Sequence, residues 1–246
     1  MVVNEFIAFK FKKKTNFVQF SAKQIENTIS SIVYEKNYLT NSDSVRFLGL
    51  TLDKHLYWKL HIDHLCSKPA SACFILRTLS SLVTQQNRKV VYFSYFRSVM
   101  TYGVIFWGNP TDRNKVFKLQ KRAIRPITNS SNRTSCRRLF KELGILPLPS
   151  QYISLTLFVV KTWKYLCQIQ TYIQKILEVN STFLFLTQTR LTKCQKGVYF
   201  AGIKFFNHLP ESIKKLSYST EKFKSELKKF LLLGSFYSFE EFYEWT

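Results

Sequence analysis

Acidic residues are scarce in this chain. Fifteen Asp and Glu stand against 37 Lys and Arg over 246 residues, a formal net charge of +22. Only four of the acids are aspartates (Asp43, Asp53, Asp63 and Asp112), and none adjoins another acid; Glu240-Glu241 is the one adjacent acidic pair. Two-metal phosphoryl transfer needs carboxylates that converge on two cations, and no stretch of this sequence offers them. Glycine and proline are also few, at 7 and 6, which disfavours an all-β barrel built on tight turns. The glycines form neither a G-x-G-x-x-G nor a G-x-x-x-x-G-K arrangement, so no phosphate-cradling loop is present. No G-x-S-x-G occurs, so nothing suggests an acyl-transfer nucleophile. Cys66, Cys73, Cys136, Cys167 and Cys194 contain no C-x-x-C. An odd, scattered set suggests neither a zinc ribbon nor a disulfide framework, and points to a reducing compartment. The N-terminus MVVNEFIAFKFKKK places its charges after a short apolar stretch, the reverse of a signal peptide. The expected location is intracellular, nuclear or cytoplasmic.

What is present is apolar and basic. Hydrophobic residues make up 46% and aromatics 16%, enough to form a core. A positive field of this size attracts polyanions, and the cations cluster on particular segments, which favours nucleic acid over a merely solvated surface. Val90–Gly108 has the length of a bilayer span. Arg97 near its middle is costly in lipid, however, and Ser94, Arg97, Ser98 and Thr101 form one polar stripe at helical spacing. That pattern suits a largely buried helix with one wet edge, and no membrane partner is expected.

The fold class expected is α+β, mostly α: a small N-terminal antiparallel β piece, then helices. Thr15–Ser21, Ser31–Tyr34 and Val45–Leu52 have strand content, with the polar stretch Asn41–Ser44 between the last two. Residues 15–53 thus predict one small antiparallel sheet with open edges. From Trp58 the pattern turns helical, and Pro69 is expected to kink or split the first helix. Gln86–Tyr102 predicts a buried helix punctuated by Gly103 and Gly108. Asp112–Arg125 predicts a helix with Asp112 as N-cap or first-turn acid and Pro126 as its stop or bend. Leu143–Pro149 predicts a helix end followed by an extended connector. Pro149-Ser150 marks a boundary, and Gln151–Leu177 a second apolar helix region. Asn180–Gly197 reads as loop. Gly197–Leu209 and Thr220–Leu233 close the chain, the latter with Phe223, Leu227, Phe230 and Leu231 on one stripe. The acidic, aromatic tail SFYSFEEFYEWT is expected to dock on the basic body. Three domains follow: 1–57, 58–149 and 150–246.

The basic helix is the best candidate site. At 100° per residue, Val116, Leu119, Ala123 and Ile124 gather on one face and Lys115, Lys118, Lys121, Arg122 and Arg125 on the other. Arg133, Arg137 and Arg138 follow in a second cluster. Such a row tracks a phosphate backbone without reading sequence. Phe47, Tyr57, Trp58, Phe106 and Trp107 are candidate stacking residues, although the apolar surroundings of Phe47, Phe106 and Trp107 favour core positions. His61, His64, Cys66 and Cys73 do not have conventional zinc spacing, and a half-buried helix explains them better. Asp53 reads as a turn or helix cap, and Glu240-Glu241 as an exposed helix face.

Four segments together resemble the part of non-LTR (jockey- or LINE-like) retrotransposon reverse transcriptases that follows their catalytic aspartates. Lys14-Thr15-Asn16-Phe17 with Phe20-Ser21 resembles the N-K-T-x-x-x-x-F strand that closes the palm. Phe47-Leu48-Gly49-Leu50-Thr51-Leu52-Asp53, with Trp58 and His61-Ile62, resembles F/Y-L-G-V-x-L-D…W-x-x-H-I. Tyr102-Gly103-Val104-Ile105-Phe106-Trp107-Gly108 resembles S-Y-G-I-x-x-W-G. Leu119-Gln120-Lys121-Arg122-Ala123-Ile124-Arg125 and Leu139-Phe140-Lys141-Glu142-Leu143-Gly144-Ile145-Leu146 resemble L-Q-K-K-A-I-R and L-F-x-x-L-x-I-L. The order and spacing agree over about residues 12–160, and more loosely over Tyr199–Tyr237.

The resemblance implies a residual palm segment, a helical thumb and a helical extension. It casts Phe47, Leu48 and Gly49 as a primer-grip-like hairpin and Lys14 as the palm lysine. The family's catalytic Asp pair is not found, so the chain is expected to be a truncated fragment that binds RNA, DNA or their hybrid without sequence preference and does not polymerise alone. The family's magnesium would lack its ligands, and no cofactor is expected. A full-length reverse transcriptase is a possible partner. A recruited nucleic-acid-binding protein, a non-functional gene product and a small membrane protein are the other readings left open.

Overall fold

The computed structural model describes residues 16–20, 32–34, 37–166, 195 and 197–245. Lys14, Cys167, Cys194 and residues 180–194 of the expected loop lie outside them, as does the end of the apolar region beyond residue 166. The chain divides into two compact units, one up to Leu65 and one from Cys66 onward.

The first unit holds two small sheets rather than one. Strands β1 (Asn16–Phe17), β2 (Ile32–Tyr34) and β3 (Asn37–Asn41) form the first, in the order β1-β3-β2. β2 pairs with β3 antiparallel, but β1 runs parallel to β3, with Asn16 opposite Thr40. The second sheet is an antiparallel hairpin of β4 (Ser44–Phe47) and β5 (Leu50–Asp53). The expected single antiparallel sheet is thereby corrected. Val45–Leu52, which reads as one strand by its apolar content, folds back on itself. Leu48 (φ 44°) and Gly49 (φ 80°) both take left-handed backbone, the turn geometry that matches the twist of paired strands.

Asp53 ends the hairpin and starts the helix beyond it. Its Oδ1 accepts the amide of His55 at 3.0 Å, and its Oδ2 accepts those of Tyr57 and Trp58 at 3.0 and 3.1 Å. The carboxylate thus acts as a cap, as expected of a short polar side chain before a helix. Helix α1 (Lys59–Thr78) follows. His61 Nδ1 accepts the Thr51 amide at 3.3 Å, and His64 Nδ1 lies 3.4 Å from Thr51 Oγ1. The two histidines one turn apart therefore fasten α1 to β5. Pro69 sits inside α1 without splitting it. Its ring is buried, and that burial offsets the hydrogen bond to the carbonyl four residues back that proline cannot make.

The second unit is helical. Helix α2 (Gln85–Val91) runs through a π segment (Tyr92–Arg97) into α3 (Ser98–Thr101), and α4 (Val104–Trp107) follows. Then come α5 (Arg113–Ile127), α6 (Cys136–Leu143), α7 (Leu148–Leu166), α8 (Val198–Asn207) and α9 (Glu211–Lys214). A 3-10 turn (Lys215–Tyr218), α10 (Thr220–Gly234) and α11 (Phe239–Trp245) complete it. Tyr92, Phe96, Trp107, Phe140, Tyr152, Phe205, Phe223, Phe236 and Phe242 are fully buried and dominate the core.

The family-like motifs are largely packing devices. Trp107 is buried, and its Nε1 donates to Tyr102 O at 2.9 Å across the left-handed Gly103. A Cβ on Gly108 would lie 2.4 Å from the Tyr152 ring, so only glycine lets α7 approach. Leu139, Phe140, Leu143, Ile145 and Leu146 all enter the core. Gln120 is completely buried and fully used. Its Nε2 donates to Tyr92 Oη (2.9 Å) and Leu146 O (3.0 Å), and its Oε1 accepts Leu148 N (2.8 Å). Buried polar groups need such partners.

Other local expectations are refined. On Gln86–Tyr102 the polar edge is present, with Ser94 and Ser98 exposed and Arg97 half-buried, donating to Gln151 Oε1 at 3.2 Å, but the segment is not largely buried: Val90, Tyr95 and Tyr102 are exposed too. Phe106 is not core but 50% exposed, because the chain reversal at Gly103 turns it outward. Asp112 occupies the N-cap position of α5 but makes no side-chain capping bond. Pro149 lies in the first turn of α7 rather than in an extended connector, where its missing N–H has no intrahelical partner to lose. Among the described residues no single helix is long and apolar enough to cross a membrane; α6 with the first part of α7, bent by 48°, would pass on length and composition. That pair supplies core residues of this unit.

Candidate nucleic-acid interface

Helix α5 is amphipathic because its apolar residues recur at three- and four-residue spacing. Val116, Phe117, Gln120, Ala123, Ile124 and Ile127 face the core, and Leu119 is half-buried. Lys115, Lys118 and Arg122 point outward and are exposed. At 1.5 Å per residue they span about 10 Å of helix. Among the described residues neither Lys118 nor Arg122 forms an ion pair, whereas Lys115 Nζ lies 4.0 Å from Asp112 Oδ1.

Lys121, Arg125 and Arg137 of the expected set are engaged by neighbouring groups. The Lys121 ammonium sits 4.7 Å from the centre of the Phe117 ring and 5.4 Å from that of Tyr237. Arg125 Nε donates to Thr134 O at 3.0 Å. Arg137 stacks on Tyr237 at 4.5 Å, and its Nη2 donates to both oxygens of Glu241 at 3.0 Å. Arg138 pairs with Glu142 one turn on at 2.5 Å. Arg133 is exposed on the loop after α5. Lys118, Arg122 and Arg133 are exposed and form no ion pair among the described residues, Lys115 and Arg138 are exposed and each lie beside a nearby acid, and Lys121, Arg125 and Arg137 engage neighbouring elements.

The acidic, aromatic tail engages two of these cations, Lys121 and Arg137. As expected, it docks on basic residues, through Arg137–Glu241 and through the Arg113 guanidinium 4.0 Å above the Phe239 ring. Ser238 Oγ accepts the Glu241 amide at 3.2 Å, and Glu241 Oε2 accepts that of Tyr237 at 3.0 Å, a reciprocal cap on α11. Burial, set against the pull of Arg137 and Arg125, pushes the Tyr237 hydroxyl up to about 12, so the ring stays neutral.

Sequence reasoning missed three arginines. Arg88 is buried, with Nη1 bonded to Ser80 O and to Asn129 Oδ1. Arg113 anchors Phe239 of the tail. Arg77 is exposed on α1, four residues after Cys73, whose buried thiol donates to Leu119 O of α5 at 3.3 Å. Position on α1 out of phase with the buried Ile62, Leu65, Ala72 and Leu76 could have found Arg77; Arg88 and Arg113 each bond a nearby carbonyl, Ser80 O and Asn109 O, but Asn129 and the Phe239 ring that they also engage lie far along the chain.

Of the aromatic candidates, Trp107 is core, Phe47 and Trp58 are half-buried, and Tyr57 and Phe106 are exposed. In the primer-grip-like hairpin Leu48 stands at the tip, 71% exposed. Asp43 pairs with Lys54 at 2.7 Å, which holds its carboxyl below the usual range.

Over 137 residues, 54% of this chain, the sequence is 26% identical to a probable RNA-directed DNA polymerase from transposon BS of Drosophila melanogaster. The match spans 15% of that protein's length. No family model and no solved structure matches. The findings support a relationship to reverse transcriptases and a mostly helical α+β fold.

Proposed function

We propose that this chain is a thumb-like helical segment derived from a non-LTR reverse transcriptase, which binds RNA, DNA or their hybrid through charge and shape and does not polymerise on its own. One observation carries the binding reading: Lys118 and Arg122 are exposed on one face of α5, with Lys115 exposed one turn before Lys118. Cations left outward in a row position a phosphate backbone and read no base. Asp53 caps a helix, Asp43 pairs with Lys54, and no two aspartates adjoin. A full-length reverse transcriptase remains a candidate partner.

The test is binding of the purified chain to RNA–DNA hybrid, duplex DNA and single-stranded RNA, each in two unrelated sequences, with primer extension measured in magnesium and all four deoxynucleotides. Comparable affinity across sequences and no extension support the reading. One sequence preferred by about a thousandfold, the ratio of a specific binder, replaces it with a recruited regulator. Extension removes the claim of inactivity.

A further inference from the structure

We infer that Arg77 of α1 and Arg122 of α5 form one two-armed clamp for a single phosphodiester group, closed across the contact between these helices. The inference rests on the nucleic-acid reading above and names a subsite within it. Cys73 Sγ donates to Leu119 O at 3.3 Å and pins the two helices together. Arg77 lies one turn beyond Cys73 on α1, and Arg122 three residues beyond Leu119 on α5, so each arginine stands within about one turn of the pinned point. Both charges act on the same buried sulfur, drawing its pKa down against the burial that holds it at about 11.

Both arginines are exposed and act on the same buried thiol, so their charges fall on one stretch of surface open to an anion. Neither forms an ion pair among the described residues. A phosphodiester has two non-bridging oxygens and can take a guanidinium on each. Lys118 and Lys115 extend the cationic row along α5, which suits a continuing backbone rather than an isolated anion. Phe74, 67% exposed one turn before Arg77, offers a ring on which the adjoining base or sugar can stack. By geometry Lys68, nine residues from Arg77, lies on the opposite side of α1.

A double-mutant cycle on the full chain tests this, with Arg77→Gln, Arg122→Gln and both together, titrated with a labelled RNA–DNA hybrid across a salt series. Each single change should weaken binding about threefold to fivefold. The double variant should be no weaker than the worse single one, and the salt slope should fall by about 0.9, the count for one phosphate. Lys68→Gln should retain wild-type affinity. Multiplying losses, with a slope change of about 1.8, mean two separate contacts; they overturn the clamp and leave the nucleic-acid reading standing. An equal loss for Lys68→Gln also overturns the assignment. Wild-type binding that is absent or insensitive to salt overturns the clamp together with the reading beneath it. Unchanged thermal melting confirms that the exposed variants are folded.

Discussion

Arg137 and Glu241 are 104 positions apart in the chain, yet one guanidinium nitrogen lies 3.0 Å from both oxygens of the carboxylate. The pair is part-exposed, so solvent screens it and its contribution to stability is small. Its larger consequence is for binding: while Glu241 holds Arg137, that cation is not offered to a phosphate. Glu241→Gln keeps a side-chain oxygen for the Tyr237 amide but removes the competing charge. Hybrid affinity should rise about twofold to fivefold at low salt, the worth of an exposed pair. Unchanged affinity would show that Arg137 lies away from the nucleic acid.

Gln120 is the polar centre of the second unit. Gln120→Leu strands Tyr92 Oη, Leu146 O and Leu148 N in a buried site, and should cost about 2–3 kcal/mol. Urea unfolding measures it, with a lower midpoint and an unchanged slope. A loss under about 0.5 kcal/mol would mean that water replaces the amide.

Helices α7 and α8 approach at Gly202, where a Cβ would lie 2.4 Å from Val160 Cγ2 and 3.0 Å from Thr156 O. Gly202→Ala should destabilise by about 1–3 kcal/mol through overpacking. Adding Val160→Ala removes the nearer obstacle. The pair should therefore be less destabilised than the sum of the two single changes, and simple additivity would contradict the close contact.

His61 supplies a pH dependence in the first unit. Burial, then the neighbouring His64, lowers its pKa from the usual histidine value. The neutral ring is the folded form, because Nδ1 must accept the Thr51 amide. Its contribution is fully present above about pH 6.5, the unfolded value, and is lost as pH falls through the lower folded value. Hydrogen exchange at the Thr51 amide, corrected for the intrinsic pH effect, should show falling protection from pH 7 toward pH 5. Constant protection would sink the assignment.

Much of the fold was legible because its signals are local. The apolar phase of α5, the stripe Phe223, Leu227 and Leu231 on α10, and the capping role of Asp53 all follow from spacing within a few turns. The Leu48-Gly49 turn was legible through the family-like motif but not through strand content, which does not report a reversal between apolar residues. The parallel pairing of β1 with β3 was not legible, since nothing in a two-residue strand encodes direction. For the candidate interface, charge and helical phase identified the eight cations. They could not divide outward cations from internal ones, because Tyr237, Glu241 and the Thr134 carbonyl that engage Lys121, Arg137 and Arg125 come from other elements. The Cys73–Leu119 contact, which joins α1 to α5 46 positions apart, is likewise written in no local signal.

The grip of α5 on a nucleic-acid backbone is tested most directly by the salt dependence of hybrid binding, comparing the chain with a variant in which Lys115, Lys118 and Arg122 are all Glu. All three side chains are exposed, so the variant should keep its fold and its melting temperature. Steep weakening with salt in the wild type, with loss of both affinity and slope in the variant, is the expected result. Equal affinity and equal slope in the two proteins would contradict it and remove this helix face from the interface.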